Sequence, residues 1–251
     1  ADTQIDHDDN FTVTLTNNST ATAAELIAIN AATTKSVTAT GVTTITGSIA
    51  DVNTVLTAEG NQDTAGDEID LDADFAVTIT DTGSVAATTL TTLDSDVPGT
   101  VNASTVGTLT GTAAQIAAAA TADANGTLVL KSDFGATVNV GAVAASDLNT
   151  ISAQTTATID ATAATAINGS AADVATALAD TQISHDSDFN VTLTATAAAA
   201  TAITAIDAAT TKVVDASLVT TLTGTAAAIA AAATLDANGT TTLKADFGAT
   251  V

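Results

Sequence analysis

The residues of this chain best suited to chemistry are acidic, and they alternate. Glu68, Asp70, Asp72 and Asp74 interleave with Ile69, Leu71, Ala73 and Phe75, and Val77 and Ile79 carry the alternation on to Thr80. Side chains of an extended strand point to opposite faces in turn, so the spacing predicts all four carboxylates on one face of a strand. Carboxylates stacked that closely repel, and a hard divalent cation relieves the repulsion; Ca2+ takes about six to eight oxygen ligands in a flexible geometry. Glu68, Asp70, Asp72 and Asp74 are therefore the first candidate cation site. Asp6, Asp8, Asp9 and Asn10 form the second, and Asp186 with Asp188 the third. The competing expectation is a solvated acidic face that holds no ordered ion. No EF-hand loop or glycine-rich calcium nonapeptide accompanies the run.

The acidic run is one copy of a repeated element. Each Phe of the chain ends such a stretch: Phe11, Phe75, Phe134, Phe189 and Phe247. Three positions before Phe stand Asp8, Asp72, Lys131, Asp186 and Lys244; one position before it stand Asn10, Asp74, Asp133, Asp188 and Asp246. Where Lys replaces Asp, an ion pair within the same rung or with a neighbouring one is expected. Longer stretches also recur. Gly111 to Thr127 returns as Gly224 to Thr240 with two changes, and Ala1 to Ile5 returns as Ala179 to Ile183. Such closeness reads as tandem duplication.

Each repeat has four parts. The acidic segment runs into a Val-Thr-Leu-Thr type strand, as at Val13 to Thr16, Val77 to Thr80 and Val191 to Thr194, with Val138-Asn139-Val140 as the third version. A short helix follows, with apolar pairs at i, i+3: Leu26 and Ile29, Leu90 and Leu93, Leu148 and Ile151, Ile203 and Ile206. Ser84 and the stretch from Ala144 to Asp147 are expected helix starts. A second β segment closes on Gly47, Gly111, Gly169 and Gly224, where a turn of unusual φ suits glycine. An Ala-rich helix completes the unit, and Asp123-Ala-Asn-Gly126 and Asp236-Ala-Asn-Gly239 read as helix stops.

A β-α-β-α order forces parallel strands with helical crossovers, right-handed by the usual chirality of such connections. The expected fold is an α/β repeat, a right-handed solenoid of parallel strands with short Ala-rich helices; an irregular β-helix is the alternative. Residues 1–251 would form a single solenoid with units near 1–60, 61–122, 123–178 and 179–234 and a partial unit at 235–251.

Composition narrows the function classes. There are 28 acidic residues against four lysines, for a net charge of −24. Phosphate backbones and anionic membranes need a basic face, so nucleic acid is excluded as a partner and membrane insertion is not expected. Without Cys there is neither disulfide nor thiol chemistry. His7 and His185 occupy places held by Leu71 and Leu130 elsewhere, which marks them as inward-facing and structural. No Gly-x-Ser-x-Gly elbow occurs. Paired carboxylates of glycosidase type lack the aromatic platforms that sugar clefts use, since all five Phe take one core position. The chain reads as no enzyme. Thr at outward strand positions, such as Thr44, Thr46, Thr108 and Thr110, keeps open a glycan-, partner- or ice-binding face. The sequence shows no signal segment and stops in mid-strand by its own repeat, so it reads as a piece of a longer array.

Segments such as Ala145 to Ile151, Ser170 to Leu178 and Val214 to Gly224 resemble repeats of giant Thr/Ala/Asp-rich tandem-repeat cell-surface proteins of marine cyanobacteria, and more loosely those of S-layer and RTX-type adhesins. The resemblance implies an extracellular or cell-surface location, a long array, calcium dependence, and a role as filament, stalk, surface layer or adhesin. The implied partners are other copies or neighbouring repeats, joined end to end.

Overall fold

The computed structural model describes residues 10–16, 19–59 and 68–251. The elements begin with β1 (Val13–Thr14), β2 (Thr20–Thr22), α1 (Ala23–Asn30), β3 (Val37–Ala39), β4 (Thr44–Gly47) and α2 (Ile49–Glu59). Next come β5 (Ile69–Leu71), β6 (Ala76–Ile79), β7 (Ser84–Ala86), α3 (Ala87–Asp96), β8 (Val101–Ala103), β9 (Thr108–Gly111) and α4 (Ala113–Asn125). Then follow β10 (Leu128–Leu130), β11 (Gly135–Val138), β12 (Gly141–Ala144), α5 (Ala145–Ser152), β13 (Ile159–Asp160), β14 (Ala164–Asn168) and α6 (Ala171–Ala179). The last are β15 (Ile183–Ser184), β16 (Val191–Thr192), β17 (Ala197–Ala199), α7 (Ala200–Ala209), β18 (Val214–Ala216), β19 (Thr221–Thr223), α8 (Ala226–Asn238), β20 (Thr241–Leu243) and β21 (Gly248–Thr250).

The architecture is α/β. Short parallel strands alternate with short helices, and among the described residues no sheet closes into a barrel. Packing divides the chain into two compact units. The first holds the described residues up to Gly83, with Thr89–Gly107 and Asn125–Lys131; the second holds Ser84–Thr88, Thr108–Ala124 and Ser132–Val251. The first unit contains the sheets β1-β3-β5 and β10-β8-β6-β4-β2. The second contains β15-β13-β11-β9-β7, β12-β14, β16-β18-β20 and β17-β19-β21.

Period-2 alternation sets the core within each unit. In the first, Ala21, Ile45, Val77, Val101 and Leu128 share one register row and are all buried. Their outward neighbours form the row Thr22, Thr46, Thr78, Asn102 and Val129. In the second, Leu109, Ala136, Ile159 and Ile183 make the corresponding buried row. Each fully buried Val, Ile or Leu contributes roughly 1.5–3 kcal/mol. A core of such small residues relies on many rungs rather than on a few large side chains.

Three of the four i, i+3 pairs seat as the spacing predicts, while in α1 Leu26 is buried and Ile29 only half-buried. Leu90 with Leu93, Leu148 with Ile151, and Ile203 with Ile206 are buried. Of the expected starts, the stretch from Ala144 to Asp147 does open α5, with Ala144 at the N-cap and no side-chain cap, whereas Ser84 lies in β7, ahead of α3. The working caps are Thr22, Ser48, Thr112, Ser170 and Thr225, each accepting the amide three residues on. Thr22 with Glu25 and Thr112 with Gln115 close reciprocal capping boxes. Gly111, Gly169 and Gly224, just before three of these caps, have φ of 153°, 154° and 144°, as expected for glycine-closed segments, whereas Gly47, before the Ser48 cap, does not take a positive φ.

The stretch from Glu68 to Thr80 is not one strand. β5 ends at Leu71, and a turn closed by the Phe75 amide on the Asp72 carbonyl (3.3 Å) sends β6 into a different sheet. Ala73, expected on the apolar face, is exposed at this corner. The alternation survives on either side because the corner leaves Ile69 and Leu71, then Phe75, Val77 and Ile79, buried. The Val138-Asn139-Val140 strand is likewise cut, between β11 and β12, and Val140 is exposed.

Candidate functional site

The corner between β5 and β6 carries the first group of candidate ligands. Asp70 sits outward on β5, and its register neighbour is Thr38 of β3 rather than another acid. The next repeat's equivalent, Val129, lies on β10 in a different sheet and does not stack on Asp70. Asp72 turns its Oδ1 onto the Asp74 amide at 2.9 Å. This is an Asx turn, in which the carboxylate substitutes for a backbone acceptor. Asn102, Asp160 and Asp215 do the same for the amides of Ser104, Thr162 and Ser217, at 3.1, 3.1 and 3.0 Å. Glu68 lies at the foot of β5, where Ser36 Oγ donates to its Oε2 at 3.4 Å, and Asp74 is exposed.

Among the described residues no three His, Asp or Glu side chains converge as a metal-ligand group. Asp70, Asp72 and Asp74 share a segment, but they do not form the oxygen cage that Ca2+ requires. In the second group, Asp6, Asp8 and Asp9 lie outside the described residues, and Asn10 is exposed before β1. In the third, Asp186 and Asp188 are exposed. Lys212 Nζ of the following coil stands 4.0 Å from Asp188. The within-rung pair expected at the Lys-bearing copies is present at Lys244 Nζ and Asp246 Oδ1, 3.0 Å apart. His185 takes an inward-leaning place, its ring edge-on to Phe189 with centroids 5.3 Å apart.

The densest constellation of polar groups went unread in the sequence. Thr155 is buried; its hydroxyl donates to the Phe134 carbonyl at 2.6 Å and accepts from the Ala157 amide at 3.1 Å. Thr210 repeats both bonds with Phe189 and Lys212, at 2.6 and 3.1 Å. Thr33 does so with Phe11 and Lys35. Each hydroxyl bridges its own loop to the corner of the coil before. The second unit adds neighbouring anchors: the Thr156 amide and the Thr211 amide reach the Ser132 and Ser187 carbonyls at 3.1 and 2.7 Å.

The repeat around Phe75 solves the same problem without a hydroxyl. Val97 stands where the others have Thr, and it is buried. Here the Gly99 amide goes directly to the Phe75 carbonyl, at 3.0 Å. That approach leaves no room for a side chain, since a Cβ on Gly99 would lie 2.6 Å from the Phe75 oxygen. The Thr-Thr doublet, 21 or 22 residues after Phe and four before the next strand's Val or Ile, is the signal that marks this device.

Proton affinities follow the same local bonds. Glu25 is held below the usual carboxylate range by the Thr22 hydroxyl and amide. Asp160 is lowered by the Thr162 hydroxyl and amide, and Asp246 by its bond and charge pairing with Lys244. Asp147 is raised by desolvation. Among the described residues no helix is long and apolar enough to cross a membrane.

No protein-family model matches the chain, and neither a curated protein nor a solved structure shows significant similarity to it.

Proposed function

We propose that the chain is a non-enzymatic structural repeat module, a right-handed α/β solenoid serving as a filament, stalk or surface-layer segment outside the cell and associating end to end with further repeats. One observation carries the reading: the Thr-to-Phe-carbonyl anchor recurs at Thr33, Thr155 and Thr210, always joining one coil to the coil before it. Three of the four buried threonines of the described residues thus hold backbone to backbone, and the acids at Asp72, Asp160 and Asp215 shape corners. A chain built to transmit load or span distance needs such coil-to-coil ties more than it needs a cleft.

In this reading Ca2+ and other cations act by screening the net charge of −24 rather than through a ligand cage. Electron microscopy and melting in EDTA, in Ca2+, and in Na+ at matched ionic strength test the proposal. Rods or filaments whose melting depends on ionic strength support it. A chain that stays unfolded under all three conditions overturns it.

The outward row Thr22, Thr46, Thr78 and Asn102 favours a second reading, a flat hydroxyl-bearing face for glycan or ice. Loss of glycan-array binding or of ice-recrystallisation inhibition on T46K and T78K would support it; no such activity in the parent chain removes it.

A further inference from the structure

The chain has three Asn-Gly pairs, Asn125-Gly126, Asn168-Gly169 and Asn238-Gly239. In such a pair the backbone amide nitrogen that follows the Asn lies within reach of its side-chain carbonyl carbon, and glycine adds no Cβ to block the approach. The fold treats the three pairs differently.

Asn168 is held. Its Oδ1 accepts the Thr192 amide at 2.9 Å, and the Gly169 amide donates to the Thr192 carbonyl at 3.3 Å. Both residues are half-buried. The space beside Gly169 is walled, since a Cβ there would stand 3.5 Å from the Ala145 methyl and 3.7 Å from Val174 Cγ2. Asn125 and Asn238 instead end α4 and α8, and both they and their glycines are exposed. Among the described residues no hydrogen bond engages either carboxamide. A Cβ on Gly126 or Gly239 would meet nothing within 4 Å. Both glycines turn through the left-handed region, at φ of 80° and 77°. The Gly239 amide donates to the Leu235 and Asp236 carbonyls, bonds of a last helical turn that open as helix ends fray.

We propose that Asn125 and Asn238 are sites of spontaneous deamidation that loosen the coil junctions they precede, and that Asn168 is protected from it. The Gly126 or Gly239 amide nitrogen attacks the Asn side-chain carbonyl carbon, gives up its proton to water and expels the carboxamide nitrogen as ammonia. Water then adds to one or the other carbonyl of the cyclic imide, and the C–N bond there breaks to leave Asp or isoaspartate. Water is the only co-reactant. Each event adds one negative charge to the chain's −24 and places it at a helix C-terminus, the end that disfavours anions. Isoaspartate also carries the backbone through one extra carbon just ahead of a tie between coils. Thr127 accepts the Val101 amide on its carbonyl at 2.9 Å and donates its hydroxyl to Asp94 Oδ2 at 3.0 Å. Thr240 accepts the Val214 amide at 2.9 Å, and the Thr241 hydroxyl donates to Asp207 Oδ1 at 2.9 Å.

The test ages the full 251-residue chain at neutral pH and body temperature and maps its peptides with Asp and isoaspartate forms separated. Asn125 and Asn238 should convert at least about tenfold faster than Asn168, because imide formation at Asn168 first requires both Thr192 bonds to break. In urea the three rates should converge, since local sequence alone then sets them. Asn168 converting as fast as the other two in the folded chain overturns the protection. Asn125 and Asn238 still intact when the urea-treated chain has converted overturns the assignment of the sites. The urea midpoint reads the consequence. It should fall as the parent ages and hold in the N125Q/N238Q variant, whose longer side chains disfavour ring closure at two exposed helical positions. A parent with both sites converted and its midpoint unchanged overturns the loosening.

Discussion

Replacing Thr155 by Val tests whether the buried hydroxyls hold the coils together. Val keeps the volume and the β-branch, so packing changes little. It removes the donor to the Phe134 carbonyl and the acceptor for the Ala157 amide. An orphaned buried polar group costs about 1–3 kcal/mol. The carbonyl bond is buried and carries the full penalty, while the amide is part-buried and regains some water, so the expected loss is about 2–3 kcal/mol. The Phe75 repeat then predicts the rescue. Val97 with Gly99 is the natural version of T155V with A157G, where the amide moves onto the carbonyl directly. A157G alone should destabilise by about 0.5–1 kcal/mol through backbone entropy. In the T155V background it should instead stabilise, by about 1 kcal/mol, because it restores one bond. Urea unfolding followed by far-UV circular dichroism reads both effects as midpoint shifts at unchanged slope. Additive losses in the double variant would refute the exchange of hydroxyl for glycine.

G99A should be among the most damaging single changes in the first unit, costing at least about 2 kcal/mol, because its Cβ would press on the Phe75 carbonyl at 2.6 Å; a denaturation midpoint unchanged from the parent would contradict this. D72N should leave the melting temperature nearly unchanged, since Asn102 performs the same Asx turn, while D72A should cost about 1 kcal/mol. A Ca2+-dependent melting shift that disappears in D72N would instead point to ligation there. Glu25 and Asp160 have depressed affinities for protons, so their contributions are complete above their unfolded values and fade as pH falls through the lower folded ones. Acid titration of E25Q and D160N against the parent should therefore show smaller losses of stability on the acid side than the parent shows. S170A, which loses the cap of α6, should cost about 1 kcal/mol in the same urea assay.

The secondary-structure types and their parallel pairing were legible because period-2 and i, i+3 spacings are local. Ile45 and Val77, or Leu148 and Ile151, occupy the faces their spacing dictates. The corners were not. Asp72 to Phe75 preserves strict alternation of residue types while the backbone turns, so a run that counts as one strand is two, in separate sheets. A four-residue turn with a buried last residue is invisible to a period-2 count, and Asp at its first position is as good a turn former as it is a strand-face carboxylate.

The same ambiguity explains the candidate site. An Asp in an alternating run has two physical roles open to it, ligand and local acceptor. Spacing favours the first only if the backbone stays extended. Once Asp72 accepts the Asp74 amide, one of its oxygens is engaged, and Asp70 stands beside Thr38 rather than in an acidic column. Thr misleads in the opposite direction. Its abundance on outward strand positions drew attention to a surface, yet the three hydroxyls at Thr33, Thr155 and Thr210 lie inside, in loops, and each completes a bond that Val97 cannot make. The exception is what makes the rule readable: the one repeat that lacks the hydroxyl is the one whose anchor is a glycine with no room for a Cβ. The polar composition of this chain is thus set largely by the demand of turning backbone for partners, a demand that grows with every corner the repeat adds.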